Sequence, residues 1–198
     1  MGRWLSRLKR DRDGVSAVEF AMIAPLLLLT LLGLFDLAHN MYTSSMLQGA
    51  IQQAARNSTI EGAAGSSAAL DGIVTRAVTR IAPGAKLTFS RKAYTNFADV
   101  SRLEDFTDVN SDGSCNLGEP FEDVNGNGSW DADRGTDGFG GARDAVLYKV
   151  TVTYPRAFPI ARLMPGQSDT MTISSATVLR NQPYSLQESG APKIGACT

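Results

Sequence analysis

The chain has 198 residues, a formal net charge of −1 and a pI near 5.8, with room for one small domain and a membrane segment. That balance gives no reason to expect nucleic acid as a partner. A single histidine, His39, argues against a His-based catalytic centre, and the two cysteines, Cys115 and Cys197, fit no metal-ligand spacing.

Charge is unevenly placed. Residues 1–14 form a basic leader with Arg3, Arg7, Lys9, Arg10 and Arg12 against two aspartates. From Val15 to Phe35 the chain is apolar for 21 residues, about 31 Å of helix, which matches a ~30 Å hydrocarbon core. Pro25 removes one donor and kinks such a helix at most, which membrane helices tolerate. The basic residues precede the span, so the N-terminus is expected in the cytoplasm and the remainder exported.

Glu19 is the one charge inside the run. At the centre of a span a carboxylate costs roughly 2.5–3.5 kcal/mol on insertion scales. Three readings compete. A cleaved secretory signal needs a shorter apolar core and a small-x-small site, and Asp36-Leu37-Ala38-His39 is a poor one. A plain uncleaved anchor leaves Glu19 unexplained unless the acid lies shallow in the interface. The third is prepilin-like processing after Gly14. It makes Val15 a new amine and puts Glu19 one helical turn away, where it meets its own amine or a neighbouring subunit's.

Residues 12–29, Arg-Asp-Gly-Val-Ser-Ala-Val-Glu-Phe-Ala-Met-Ile-Ala-Pro-Leu-Leu-Leu-Leu, resemble the start of TadE-like proteins, pseudopilins of the tight-adherence (Flp) branch of type IV pilus systems. Gly33-Leu34-Phe35-Asp36-Leu37 and Gln52-Gln53-Ala54-Ala55-Arg56 resemble the family's helix. Leu179-Arg180-Asn181-Gln182-Pro183-Tyr184 resembles a late family motif, with Gln182 where Glu is expected. The resemblance implies processing at Gly14–Val15 by a prepilin peptidase and an assembly role for Glu19 and Phe20. It also implies contacts with other pilin and pseudopilin subunits, the inner-membrane pilus machinery and the lipid bilayer. In major pilins of this branch Tyr usually follows the Glu, so Phe20, like the length of the chain, favours a minor pseudopilin. The location implied is the bacterial inner membrane, single-pass, and incorporation in the filament stays open.

Helical character is expected to continue to about Ser58, with Leu37, Met41, Leu47, Ile51, Ala54 and Ala55 as its apolar stripe. The stripe packs on the domain's sheet or against other pilin stems. Glu61 to Ser66 is a break. Ser67 starts a second helix to about Ile81, burying Leu70, Ile73, Val74, Ala77, Val78 and Ile81. Lys86 to Phe97 reads as a strand, with Leu87, Phe89, Tyr94 and Phe97 as apolar positions. Val146 to Tyr154 alternates, and Thr170 to Leu179 is β-branched.

Between these strands, residues 99–144 hold twelve of the twenty acids and three basic residues. Asp108-Val-Asn110-Ser-Asp112-Gly-Ser114-Cys-Asn116-Leu-Gly-Glu119 fits the calcium-loop pattern D-x-[DN]-x-[DN]-G-x5-E. Asp108, Asn110 and Asp112 would offer side-chain oxygens, Ser114 a carbonyl, Asn116 a direct or water-borne contact, and Glu119 both oxygens. Fifteen residues on, Asp123-Val-Asn125-Gly-Asn127-Gly-Ser129-Trp-Asp131-Ala-Asp133-Arg134 repeats the opening but ends in Arg134. That loop lacks its bidentate acid and is expected to be weaker unless Asp131, Asp133 or Asp137 substitutes. Structural calcium is the cofactor expected, and without it a like-charged, glycine-rich segment would repel itself and move. A cluster of solvated turns is the plainer alternative. Cys115 and Cys197 either pair in an oxidising compartment or remain free thiols.

The expected fold class is α+β: an N-terminal transmembrane helix continuing into a long pilin-like spine, packed on a small antiparallel sheet with an acidic loop insertion. The expected parts are leader 1–14, membrane helix 15–35, stem, second helix and first strand 36–98, insertion 99–144, C-terminal strands 145–184 and tail 185–198. The expected function is that of a minor pseudopilin in pilus assembly with a calcium-binding insertion, not an enzyme. The alternatives are an uncleaved signal-anchored calcium-binding surface protein with no pilus role and an exported hydrolase.

Overall fold

Val15 to Ser58 form one helix of 44 residues, α1, in the computed structural model, which describes residues 14–58, 67–141, 143–180 and 192–198. The basic leader and the Asn181–Tyr184 part of the late motif lie outside the described residues. Pro25 sits inside the helix, and one turn later the Thr30 hydroxyl donates to the Leu26 carbonyl at 2.8 Å. Over Val15–Phe35 the large apolar side chains are mostly exposed, with Val18, Phe20, Met22, Ile23 and Leu26 all above 60 %. That suits a segment long and apolar enough to cross a bilayer.

Beyond Phe35 the buried face of α1 differs from the expected stripe. Leu37 and Met41 are 56 % and 64 % exposed, whereas Asp36, Asn40, Thr43, Leu47, Ala50, Ile51 and Ala54 are buried. Helical phase gives the reason. At about 100° per residue, Asp36 and Asn40 share one face, and Leu37 and Met41 lie about 100° round the helix from them. The sequence reading follows apolar identity, and the helix follows phase.

The described residues divide into two compact units. The first holds α1 through Tyr42 together with Pro155–Met171. Inside it, Arg156 pairs with Asp36, the Asn40 amide donates to the same carboxylate, and the Phe158 ring stacks on Phe35 with centroids 6.0 Å apart. A four-residue helical turn at Ile160–Leu163 lies in this segment.

The second unit comprises Thr43–Tyr154 and Thr172–Thr198. Its helix α2, Ser67–Thr79, buries Leu70, Val74 and Val78. Strands β1 (Lys86–Tyr94), β2 (Pro120–Asp123), β3 (Thr136–Asp137), β4 (Ala145–Pro155), β5 (Thr170–Arg180) and β6 (Lys193–Ala196) follow in chain order. One sheet runs β3-β1-β4-β5 and a second pairs β2 with β6. β1 and β4 are antiparallel from Lys86↔Thr153 to Tyr94↔Ala145. The alternation read in β4 holds: Val146, Tyr148, Val150, Val152 and Tyr154 are all at most 2 % exposed. Asp71 of α2 takes Arg91 of β1 and the Tyr148 hydroxyl of β4, fixing helix to sheet.

Three boundaries move. β1 stops at Tyr94, and Phe97, expected inside the strand, is 72 % exposed in a 3-10 turn, Phe97–Asp99. The insertion contains β2 and β3. The tail supplies β6, which pairs residue for residue with β2, Phe121 opposite Gly195. A lone four-residue strand carries too little pattern to be read from sequence.

Candidate functional site

The first site candidate is the start of α1. The Gly14 carbonyl accepts the Val18 N–H at 3.1 Å, so helical bonding begins at the glycine itself. Val15, Glu19 and Phe20 are exposed on this first turn and a half. Glu19 thus stands one turn from Val15, on a helix whose surroundings are apolar side chains.

The second candidate is the acidic insertion. In the first loop, Asp108 takes the Asp112 and Gly113 N–H groups at 3.2 and 2.9 Å. The heads of Asn110, Asp112 and Asn116 meet: the Asn110 amide lies 2.9 Å from Asp112 Oδ2 and 3.2 Å from Asn116 Oδ1, and Asn116 Nδ2 lies 2.7 Å from that same Asp112 oxygen. Hydrogen bonds from Asn116 and then from the Ser114 N–H hold the Asp112 carboxyl below the usual range. Glu119 closes the loop from inside it. Its Oε1 accepts Val109 and Asn110 N–H at 2.7 and 3.3 Å, and its Oε2 accepts Asn116 N–H at 3.3 Å.

The second loop repeats this arrangement. Asp123 accepts Gly126, Asn127 and Gly128 N–H groups at 2.7, 3.1 and 2.9 Å, and the Asn125 and Asn127 amides converge on Asp131 Oδ2 at 2.7 and 2.6 Å. The loop has no acid of its own at the twelfth position, where Arg134 stands. Glu104, fully buried, takes the place of Glu119: Oε1 accepts Val124 and Asn125 N–H at 2.8 and 3.5 Å, and Oε2 accepts Asp131 N–H at 3.0 Å. Even the backbone matches, with Glu119 N–H on the Asn116 carbonyl and Glu104 N–H on the Asp131 carbonyl, both 3.0 Å. Each loop is therefore tied by hydrogen bonds to three carboxylates and two amides.

The exchange follows from a pseudo-twofold ladder between the two repeats. Phe106 bridges Phe121 in antiparallel fashion, Thr107 N–H donates to the Pro120 carbonyl and Glu122 N–H to the Asp105 carbonyl, each at 2.8 Å. Gly113 and Gly128 share the left-handed conformation at φ 76° and 81°, which the sharp turn before the eighth position requires. The eighth positions differ in how they are fastened. Trp130 packs edge-on against Phe106 and donates its indole N–H to the Glu104 carbonyl, whereas Cys115 is disulfide-bonded to Cys197 beside β6.

Arg134 turns away from the loop, whereas Asp133 and Asp137 line one cavity with Asn125, Asn127 and Asp131. Arg134 reaches back to the segment that carries Glu104, donating to the Leu103 carbonyl at 2.6 and 3.0 Å and pairing with Asp105 at 2.9 Å and Asp99 at 3.4 Å. Its hydrogen bond holds the Asp105 carboxyl below the usual range. Asp133, expected as a ligand, also receives Lys92 Nζ at 3.0 Å and the Tyr94 hydroxyl at 2.9 Å. Burial disfavours its ionisation, but those two bonds outweigh it and hold its carboxyl low. Tyr94 is pushed up to about 12, by burial first and then by the anion it donates to. Asp137 lies in β3, paired with Lys92.

Glu104 lies outside the loop pattern, so a search for that pattern passes over it. The signal that finds it is the longer repeat, Glu-x-Phe-x-Asp-Val-Asn at 104–110 and again at 119–125. Among the described residues no three His, Cys, Asp or Glu side chains gather tightly enough to hold a metal ion on their own. The loops instead mix carboxylates with amides. An amide that points its nitrogen to a shared centre presents its oxygen there after a half-turn about its terminal torsion.

Residues 14–56 match the family model described as TadE-like protein, 43 of the 198 residues, all of them within Gly14 and α1. No curated protein and no solved structure matches the chain. The helical spine therefore has a family likeness, and the unit carrying the loops stands on its own geometry.

Proposed function

We propose that this chain is a membrane-anchored minor pseudopilin required for assembly of a tight-adherence pilus, with the twin loops as structural calcium sites. The observation that carries the pilus reading is the TadE-like segment lying on one uninterrupted helix, with Glu19 exposed one turn after Val15. A prepilin peptidase cutting after Gly14 frees the Val15 amine. Glu19 then faces that amine or the amine of a neighbouring stem, and the pair offsets the cost of two charges in an apolar setting. The role is one of assembly and does not require catalysis.

The calcium reading rests on donor chemistry. Asp108, Asn110, Asp112, Asn116 and Glu119 in one loop, and Asp123, Asn125, Asn127, Asp131 and Glu104 in the other, are hard oxygen donors, with the Ser114 and Ser129 carbonyls at the seventh positions. A bound divalent cation would neutralise most of the charge that each triad of acids concentrates.

Protein N-terminal sequencing of the membrane-inserted chain tests the first part. Val15 as first residue is expected, and an intact Met1 or Gly2 overturns it. Glu19→Ala should insert normally and fail to assemble. Isothermal titration of the full chain in detergent tests the second: two calcium equivalents are expected, and no binding below millimolar calcium removes the calcium reading while leaving the pilus reading intact.

A further inference from the structure

A segment in the first unit is more apolar than an aqueous loop needs to be. Ala157-Phe158-Pro159-Ile160-Ala161-Arg162-Leu163-Met164-Pro165 has one charge in nine residues, and no acid occurs between Pro155 and Ser168. Leu163 and Met164 are 52 % and 42 % exposed. Arg162 makes no ion pair among the described residues. Ile160 is buried, and single exposed apolar side chains are ordinary, but two adjacent ones at the tip of a pinned loop call for a partner.

The pinning fixes where that tip lies along α1. Arg156 N–H donates to the Asp169 carbonyl at 2.9 Å and its Nε to the Ser168 carbonyl at 2.8 Å, closing the neck. The same guanidinium pairs with Asp36, a carboxylate only 6 % exposed. Asp36 is the first charge after the apolar run that ends at Phe35, so the neck is tied to the level where the bilayer span ends. The next ring, Phe158, stacks not outward but on Phe35, on the span's side of Asp36. Leu32 and Gly33, one turn further into the span on the same face, are half-buried.

We propose that Ala157–Pro165 is a second membrane contact: its apolar tip sits in the headgroup–acyl boundary of the bilayer that α1 crosses, with Arg162 at the level of the lipid phosphates. Phe158, Leu163 and Met164 are the residue types that partition to this depth, and a guanidinium binds a phosphate while its stem stays among apolar groups. The Arg156–Asp36 pair then serves to hold the loop at the right height, sealed from both water and lipid. This inference rests on the reading of α1 as a bilayer span, and nothing in it depends on pilus assembly or calcium.

The test uses the full chain with its disulfide closed, reconstituted in nanodiscs of phosphatidylcholine and phosphatidylglycerol. A nitroxide is attached at Leu163→Cys, and in separate samples at Met164→Cys, Leu28→Cys and Thr88→Cys. Collision with oxygen, which concentrates in lipid, is compared with collision with a water-soluble nickel chelate. The proposal expects Leu28 to favour oxygen strongly, Thr88 to favour nickel, and Leu163 and Met164 to fall between them with an oxygen-to-nickel ratio several-fold above Thr88. Nickel access at 163 and 164 equal to that at Thr88, with Leu28 still in lipid, overturns it. So does shielding from both reagents, which would mean a protein partner or a second copy covers the tip. Nickel access at Leu28 would remove the span reading and this proposal together.

Discussion

Glu104 and Glu119 stand at matching places in two repeats, and each closes the loop that follows Phe106 or Phe121 on the other side: Glu119 binds the N–H groups of residues 109, 110 and 116, and Glu104 those of 124, 125 and 131. A first repeat thus completes the second from in front, while the second completes the first from behind. The two loops form one unit that cannot be cut between them.

Reciprocal substitution follows from this. Glu104→Gln should expose the Val124, Asn125 and Asp131 amides to hydrogen exchange, and Glu119→Gln the Val109, Asn110 and Asn116 amides, each at a cost of about 1–3 kcal/mol for a buried acceptor partly lost. If Glu104→Gln loosens residues 109–116 instead, the exchange described here is wrong.

Arg134 carries the sharpest contrast between pattern and structure. Arg134→Glu would complete the calcium-loop pattern of the second loop, and by sequence alone should strengthen it. The structure predicts the reverse. The new acid would face Asp99 and Asp105 and would release the Leu103 carbonyl, with a loss of about 1–3 kcal/mol that comes mainly from the unpaired carbonyl, because half-exposed Asp105 is screened by solvent. Chemical denaturation of the full chain in detergent, followed by tryptophan fluorescence with a Trp4→Phe background, measures it. Arg134→Lys should recover only part, because an ammonium cannot reproduce the fork.

The tail is held twice. Reducing the Cys115–Cys197 bridge, 82 residues apart in sequence, should cost about 2–4 kcal/mol through the released chain entropy. Gly195→Val is expected to undock β6 even with the bridge closed, since a Cβ there would come within 2.4 Å of the Phe121 ring. Amide exchange at Phe121 and Asp123 reports both effects. Undisturbed protection in Gly195→Val would refute the β2–β6 packing.

The Tyr94–Asp133 bond sets limits at both ends of the pH scale. The folded pKa of Tyr94 is raised, so its contribution is whole below the ordinary tyrosine value of 10.0 and is lost as pH rises through about 12. The folded Asp133 pKa is lowered, so its contribution is whole above the ordinary 3.8 and is lost as pH falls below that value. Absorbance titration should show two late-ionising tyrosines, Tyr94 and the still more strongly raised Tyr148, of which Tyr94→Phe removes one, at a stability cost of about 1 kcal/mol. A titration unchanged by Tyr94→Phe would count against the bond.

Much of this was legible without coordinates, because some signals are local. The length and polarity of Val15–Phe35, the Gly14–Glu19 spacing, the alternation of Val146 to Tyr154 and the fixed positions of the first loop each depend on neighbours in sequence. Three things were decided only by tertiary structure. The polar face Asp36–Asn40 is buried because Arg156, from far along the chain, packs there and supplies the countercharge. The tail becomes a strand because Phe121 offers an edge and a ring for Gly195 to meet. The acid of the second loop comes from Glu104 because antiparallel pairing of Phe106 with Phe121 carries it there. A linear pattern fixes what each residue can donate, and chain folding fixes which loop receives it.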